Sequence, residues 1–329
     1  MTESNFWSAI AQKARAENRP FFTMAPMEAV SNTVFRQVIA KAYAPDTFFS
    51  EFVYAKSITD PNTKFPVDGR LYVDPRETKK PVVQLWGDSP IDYQTGTNFL
   101  KTHGFKAIDI NTGCPDKTVI KNHGGTYLIR NPEKVDDIVT ASKESGLAVS
   151  IKTRLGYSKV DEYHDWIPKL LSQHVDLLTV HLRTKMEMSK VAAHFEVIDD
   201  LIRLRDQISP ETLLQVNGDI LNYQAGVTLA KQHPGLDGIM IGRGVFTTPF
   251  AFEPGNKTHS LDELLNLLRL QLDLFDDYST HFDTPRFVSL KRFFKIYARD
   301  ELGATDLRNK LVRANSSNEV RQILDDFQK

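Results

Sequence analysis

Cysteine is almost absent from this chain, since Cys114 is the only one among 329 residues. A single thiol excludes an internal disulfide and lacks the companion cysteines of a zinc site, so we expect no bound metal. One cysteine also fits a reducing compartment. Apolar runs long enough to span a bilayer are missing, and residues 1–20 lack the apolar core of a signal peptide. We therefore expect a cytoplasmic protein without membrane contact.

An excess of charge of either sign is also missing, because 41 Lys and Arg stand against 42 Asp and Glu. This balance excludes a global basic signature for nucleic acid, so any such signal must be local. Hydrophobic residues at 41% and charged residues at 25% are ordinary for a globular protein of a length that can bury a sizeable core.

Short apolar runs alternate with helical patterns over residues 21–241. The predicted strands are Phe21–Ala25, Thr47–Phe52, Pro81–Trp86, Ala107–Asn111, Ala148–Thr153, Leu177–His181, Leu213–Asn217 and Asp237–Ile241. The predicted helices between them are Thr33–Ala42, Ile91–His103, Pro132–Ser145, Tyr163–His174, Phe195–Gln207 and Tyr223–Gln232. Eight such units close most simply into a (β/α)₈ TIM barrel. The alternative is an open doubly wound sheet, which would normally begin with a glycine-rich dinucleotide turn, and none follows the first run.

The strand pattern stops before Asn256, and only helices are predicted beyond it. They are Leu261–Phe275, Arg286–Arg299, Ala304–Arg313 and Ser317–Phe327. We expect two domains, a catalytic barrel over residues 1–250 and a small all-helical domain over residues 257–329.

Polar side chains gather at the predicted strand ends, where the loops of a TIM barrel converge on its site. They are Gln84, Asn111, Cys114, Lys152, Arg154, His181, Arg183, Asn217, Asp219 and Arg243. The run before Cys114 alternates as in a half-buried strand, and Gly113 and Pro115 then turn the backbone. A loop can present this thiol to a substrate, although a lone cysteine is more commonly a small buried residue.

Glycines mark the last two strand ends, in Asn217–Gly218 and Gly242–Gly244. The corresponding loops often bind phosphate in this fold, because glycine permits close backbone approach and Arg243 adds a fork of donors. The alternative is that these glycines only form tight turns. A flavin mononucleotide (FMN) would use the whole set, with its ring near Gln84, Lys152 and His181 and with Cys114 facing the substrate.

A local basic signal lies between Arg286 and Arg313, where eight basic residues stand against three acidic ones. On a helical projection one face carries Lys291, Arg292, Lys295 and Arg299. The opposite face carries Phe287, Leu290, Phe294 and Tyr297, which are expected in the core. The basic face is available to RNA phosphates, and the alternative is an ordinary solvated helix surface.

The ordered motifs of nearly the whole chain resemble those of the tRNA-dihydrouridine synthase family. They are Ala25–Glu28, Gln84–Gly87, Asp109–Pro115, Lys152–Gly156, His181–Thr184, Asn217–Ile220 and Ile241–Gly244, with Leu290–Arg292 and Leu307–Arg308 in the helical part. The resemblance implies an FMN enzyme that reduces uridines in tRNA to 5,6-dihydrouridine with NADPH, and it implies that Cys114 is the general acid.

The resemblance also implies roles for further residues in a protein that we expect to be monomeric. The expected FMN-binding residues are Ala25, Pro26, Met27, Gln84, Lys152, His181, Asn217, Gly218, Asp219, Gly242 and Arg243. The expected contacts to tRNA are Asn111, Arg154, Arg183, Lys291, Arg292, Lys295 and Arg299.

Three places depart from the common family pattern. They are Thr126–Tyr127, Leu182 and the segment Met186–His194. Two other functions stay open from the sequence. One is an FMN barrel that reduces a small molecule of the dihydroorotate or enoate type, and the other is an RNA-binding protein without catalysis.

Overall fold

The computed structural model describes residues 6–60, 62–63, 65, 67–255, 257–282, 286–298 and 304–328. Eight parallel strands pair in sequential order, and the last pairs with the first, so the sheet closes into a barrel. The strands are β1 (Phe21–Met24), β2 (Thr47–Tyr54), β3 (Val82–Trp86), β4 (Ala107–Asn111), β5 (Ala148–Arg154), β6 (Leu177–His181), β7 (Leu213–Asn217) and β8 (Gly238–Ile241). The predicted (β/α)₈ fold is confirmed, and the open sheet is excluded.

Helices surround the barrel and continue beyond it. The α-helices that precede β8 in the chain are α1 (Phe6–Ala16), α2 (Thr33–Tyr43), α3 (Asp68–Leu71), α4 (Pro90–Thr102), α5 (Lys117–Lys121), α6 (Glu133–Lys143), α7 (Tyr163–Leu171), α8 (Ile198–Ile208) and α9 (Tyr223–Gln232). Side-chain caps fix several starts, as at α4, where the Ser89 hydroxyl accepts from the Asp92 amide and Pro90 opens the helix. No helix in the described part of the chain is long and apolar enough to cross a membrane.

The barrel interior has an apolar floor and a polar upper half. At the floor, Trp7 of α1 is fully buried and packs near Phe21 and Phe49, with ring centroids 6.2 and 6.0 Å away. Above it the inward positions are polar, for example Thr23 and Thr179, whose hydroxyls both donate to the Gln215 side-chain oxygen. The chain therefore closes one end of the barrel and keeps polar groups for the other.

The C-terminal part is helical, as predicted. It contains α10 (Leu261–His281), α11 (Phe294–Tyr297), α12 (Ala304–Arg313) and α13 (Ser317–Phe327). Helix α10 runs six residues past its predicted end and packs on α2. The Phe293 ring lies 4.5 Å from Phe35 of α2, so one apolar core continues from the barrel into these helices. The division into two domains stays a prediction.

The predicted helix over residues 286–299 is wrong. The structure has a 3₁₀ helix over Phe287–Arg292 followed by the single turn α11, and Arg299 lies outside the described residues. The predicted burial is nevertheless correct for Leu290, Phe294 and Tyr297, which are all at most 3% exposed.

Candidate active site

A cavity of about 270 Å³ opens at the carboxyl ends of the strands. All the predicted FMN-binding residues line it, from Ala25, Pro26, Met27 and Gln84 through Lys152 and His181 to Asn217, Gly218, Asp219, Gly242 and Arg243. Asn111, Cys114 and Arg154 line the same cavity. The fold thus brings together residues that are more than 200 positions apart in the chain.

The strand register explains this convergence. Along a barrel strand alternate side chains point inward, and neighbouring strands place their inward positions in common layers. Arg154 pairs in register with His181, which pairs with Asn217. Deeper in the barrel, Gln84 pairs with Asp109, which pairs in turn with Ser150. Each polar residue at a strand end therefore reaches the barrel mouth from a different direction.

A chain of hydrogen bonds leads from Asp109 to the backbone of Cys114. Buried Asp109 accepts from the Gln84 amide nitrogen at 2.6 Å and from the Ser150 hydroxyl at 2.7 Å. The Gln84 oxygen accepts from the Asn111 amide at 2.8 Å. The Asn111 oxygen then accepts from the backbone nitrogen of Cys114 at 2.9 Å. Because a carboxylate only accepts, Asp109 fixes which way both amides point.

The strand that carries Asp109 differs from its predicted environment. Every residue of β4 is buried, so the alternation at 107–111 marks the barrel interior and not an exposed face. Burial raises the pKa of Asp109 to about 6, and the hydrogen bonds from Ser150 and Gln84 oppose that rise.

The Cys114 thiol is held in a tight loop and stays protonated at neutral pH. The backbone carbonyl of Cys114 accepts a hydrogen bond from the Thr126 amide at 3.0 Å. The neighbouring Gly125 has a φ of +58°, and a Cβ there would come within 2.4 Å of the same carbonyl oxygen. Cys114 is 8% exposed, beside Trp86 and Val119. Burial raises the pKa of this thiol to about 11. The site therefore contains a weak acid that keeps its proton.

Cations surround the thiol. Lys152 has no carboxylate within 4 Å of its ammonium in the part of the chain that the structure describes, and burial with nearby Arg154 lowers its pKa to about 8. The Arg154 guanidinium donates to the Gly113 carbonyl at 2.8 Å and to His181 Nδ1 at 3.2 Å. Burial and these cations hold the pKa of His181 well below its usual value. His181 is therefore neutral, and its Nε2 carries the proton.

The opposite side of the cavity contains the two glycine loops. A Cβ at Gly242 would lie 3.5 Å from Ala25 and 4.0 Å from the Asn217 side-chain nitrogen, so its absence leaves a cradle in the cavity wall. Gly218 has a φ of +130°, which a residue with a side chain rarely adopts. Gly218 is therefore favoured by its backbone conformation, whereas the missing side chain at Gly242 leaves space in which a ligand can approach the wall closely.

Asp219 joins two arginines at this side. It forms ion pairs with Arg183 and, at 2.6 Å, with Arg243. Burial would raise the pKa of Asp219, but these hydrogen bonds and charges hold it below its usual value. Arg183 is 1% exposed and does not line the cavity, and its Nη1 has no hydrogen-bond partner among the described residues. Its predicted contact with tRNA stays a prediction.

One basic residue of the C-terminal segment, Arg292, contacts the loop after β1. Arg292 and Lys295 are exposed, Lys291 is half-buried, and Arg292 donates to the Ala29 carbonyl at 3.4 Å. That loop begins at Ala25, which lines the cavity. The roles of Lys291, Arg292 and Lys295 toward tRNA stay predictions, as does that of Arg299.

Sequence reasoning missed several residues of the site. The missed lining residues include Phe52, Ser189 and Leu221, and the missed supporting residues are Asp109 and Ser150. Asp109 had a signal, because a lone carboxylate inside an apolar run needs a buried partner. Ser189 and Leu221 lie in irregular loops, whose course no periodicity predicts.

Comparisons with known proteins agree with this geometry. The family profile described as Dihydrouridine synthase (Dus) matches residues 23–327. A protein of Bacillus subtilis (strain 168) named "Probable tRNA-dihydrouridine synthase 2" is 48% identical over 330 residues, covering 100% of this chain and 98% of its own. A "Probable tRNA-dihydrouridine synthase" of Staphylococcus epidermidis (strain ATCC 12228) is 47% identical over 326 residues, covering 99% and 97%.

Among solved structures, the fold is shared more widely than the sequence. The 6-hydroxypseudooxynicotine amine oxidase of Pseudomonas geniculata N1 superposes with a TM-score of 0.50 at 13% identity. The match covers 78% of this chain and about half, 48%, of that one, so it supports the barrel fold alone. The family profile and the relatives extend over the whole site, and this chain belongs to the dihydrouridine synthase family.

Proposed function

We propose that this protein is a tRNA-dihydrouridine synthase that reduces the C5–C6 double bond of specific uridines in tRNA, with FMN as cofactor and NADPH as electron donor. The observation that carries the proposal is that a protonated thiol, Cys114, shares one cavity with Lys152 and the two glycine loops. The relatives' names point to tRNA as the substrate.

The residues that line the cavity suit FMN in their chemistry. The glycine cradle at Gly242, with Gly218 and Arg243 beside it, suits a phosphate. Lys152, without a carboxylate partner among the described residues, suits the electron-rich edge of a flavin ring. The Nε2–H of neutral His181 and the side chain of Gln84 add hydrogen-bonding groups. When bound, FMN supplies a hydride to C6 of the uracil.

Cys114 donates the proton that completes the reduction. The thiol gives it to C5 of the uracil as negative charge develops there, and a pKa of about 11 ensures that the proton is present at neutral pH. Asn111, which holds the Cys114 backbone, and Arg154, which holds the Gly113 carbonyl, keep the thiol in place. The base would thus gain a hydride at C6 and a proton at C5, which together are two electrons and two protons. NADPH would restore the hydride equivalent, and solvent would return a proton to the Cys114 thiolate.

The tRNA is held by its backbone and delivers one base to the cavity. A uracil inside a folded RNA must leave its stack before it can reach Cys114. Arg292 contacts the loop after β1, and Lys291 and Lys295 belong to the same segment, so these side chains would contact tRNA phosphates.

The test uses the purified protein with NADPH and tRNA that lacks dihydrouridine. We expect a bound flavin with its absorption spectrum, NADPH oxidation that tRNA stimulates, and dihydrouridine at defined positions of the product. A flavoprotein that oxidises NADPH with a small enoate but forms no dihydrouridine in any tRNA would contradict the proposal. Mapping dihydrouridine in tRNA from cells that lack this protein identifies the uridine.

A further inference from the structure

The loop after β6 exposes apolar side chains. Met186, Met188 and Val191 are 57%, 40% and 43% exposed, and they are three of the eight large apolar side chains that are exposed in the described residues. Single exposed apolar residues are normal on a protein surface, but three within six residues form a patch. We call Met186, Met188 and Val191 the apolar edge.

The apolar edge lies next to the site. Ser189 follows Met188 in the sequence and precedes Val191, and it lines the cavity together with Cys114. The Arg154 Nη1 donates to the Met188 carbonyl at 3.1 Å, while its Nε donates to the Gly113 carbonyl, next to the thiol. A single guanidinium therefore connects the apolar edge to the Cys114 loop.

The loop that carries the apolar edge is well fixed. The Glu187 carboxylate accepts from the Thr184 amide at 2.7 Å and pairs with His194 at 2.9 Å. Arg183 Nε donates to the Val191 carbonyl at 2.7 Å. A loop tied at so many points loses little further backbone entropy when its side chains bind a partner.

The backbone at the centre of the edge is unusual. Met188 has a φ of +57°, a conformation that residues other than glycine, asparagine and aspartate rarely adopt. The surrounding hydrogen bonds keep this methionine in a strained conformation and yet expose its side chain. Conformations of this kind are enriched at binding sites, and five other described residues that are not glycine also have a positive φ.

The surroundings of the edge are basic and aromatic. Lys185 and Lys190 adjoin its residues in sequence, and Lys190 is exposed. The Tyr157 ring lies 3.7 Å from the Arg130 guanidinium and 4.8 Å from the Lys185 ammonium. An apolar patch beside cations suits a ligand that combines flat apolar groups with negative charge, as unpaired RNA does.

We propose that the apolar edge packs against the nucleotide adjoining the target uridine, and that it replaces part of the stacking lost when the uridine enters the cavity. This inference rests on the proposed function. Removing a base from its stack costs free energy, and apolar side chains such as methionine contact the bases next to such a disruption. The cations beside the edge contact the phosphates of the same nucleotides.

The test compares two double variants at the same positions. Met186→Gln with Met188→Asn removes the apolar character, and asparagine tolerates the positive φ at 188. Met186→Leu with Met188→Leu keeps the apolar character and is the matched control. We call the first double variant the polar pair and the second the leucine pair. We expect kcat/KM for tRNA to fall by about tenfold or more in the polar pair and by less than about twofold in the leucine pair.

Two further readouts make the result specific. The salt dependence of tRNA binding should keep its slope in both pairs, because neither removes a charge that meets a phosphate. The flavin content, the melting temperature and the rate of flavin reduction by NADPH should match those of the wild type.

Distinct results overturn the inference. Wild-type kcat/KM for tRNA in the polar pair would show that the edge does not contact RNA. A polar pair that slows flavin reduction by NADPH but not the tRNA step would assign the edge to the dinucleotide instead. Wild-type protein that forms no dihydrouridine would overturn the proposed function, and with it this inference.

Discussion

The two sides of the barrel mouth differ in how their charges are balanced. One side comprises Gly218, Asp219, Gly242 and Arg243, and we call it the phosphate side after its proposed role. There Arg243 is paired with the Asp219 carboxylate. On the thiol side, which comprises Cys114, Lys152, Arg154 and His181, neither cation forms an ion pair with a carboxylate in the part of the chain that the structure describes. One side is neutralised within the protein, and the other holds uncompensated positive charge.

This difference separates two tasks. A paired arginine is held in position and can share its donors with an incoming phosphate. On the thiol side, burial and then the neighbouring cations lower the pKa values of Lys152 and His181, and cations without an ion-pair partner can stabilise negative charge that forms during a reaction. The phosphate side should therefore act on cofactor affinity, whereas the thiol side should act on the rate and, through Lys152, on cofactor affinity as well.

The strongest test of this comparison is Cys114→Ala. Uridine reduction should fall by about 10²–10⁴, because a positioned general acid contributes that much. Flavin content and the rate of flavin reduction by NADPH should not change, since neither needs the acid. The measurement is single-turnover dihydrouridine formation with prereduced enzyme, and a normal rate would remove Cys114 from the mechanism.

The phosphate side is tested by Arg243→Ala. Loss of a charge-assisted contact worth about 1.5–3 kcal/mol should weaken FMN binding about tenfold or more. Arg15→Ala is the matched control, because Arg15 is similarly exposed and also paired with an aspartate, Asp237. Flavin titration of both apoproteins measures the effect, and equal affinities would argue against phosphate binding at Arg243.

The pH dependence of FMN binding tests the thiol side. Lys152 is charged below its pKa of about 8 and neutral above it, so FMN affinity should fall several-fold as the pH rises from 7 to 9. Lys152→Met should bind FMN more weakly at pH 7 and lose this fall. Dissociation constants from flavin fluorescence at each pH provide the measurement. A wild-type affinity that is flat across this range would mean that Lys152 does not interact with the cofactor.

The smallest expected effect lies outside the mouth, in Lys291→Ala with Lys295→Ala. If both contact tRNA phosphates, the slope of log affinity against log salt should flatten by about one to two units. Lys13→Ala with Lys231→Ala, on exposed lysines of α1 and α9, is the control and should leave the slope unchanged. Superimposable curves for the two pairs would place the RNA elsewhere.

The positions of residues at the barrel mouth could be predicted well, because side chains alternate between the two faces of a strand and paired strands fix which residues are neighbours. Once Ala107–Asn111 and Ala148–Arg154 are adjacent strands, Asn111 and Lys152 must lie side by side. The polar support at Asp109 was not predicted, because an alternating pattern does not tell a barrel interior from a solvent-exposed face. Loop residues such as Ser189 depend on hydrogen bonds between distant segments.

The basic segment was predicted less well for a different reason. Phe293, Ile296 and Ala298 are each at most 3% exposed, in addition to the apolar residues assigned to the core. On a regular helix the buried residues from Leu290 to Ala298 would span about 200°, which is wider than the apolar stripe of an ordinary amphipathic helix. Packing therefore divides the segment into a 3₁₀ helix and one α-turn, and the cations no longer share a single helical face.

The buried position of Cys114 also determines how the protein meets oxidants and alkylating agents. Only the thiolate attacks such reagents, and with a pKa of about 11 it amounts to about one molecule in ten thousand at pH 7. Since this is the only cysteine in the chain, peroxide has no second thiol with which to form an intramolecular disulfide. The desolvation that keeps the thiol protonated thus also slows the oxidation of this thiol.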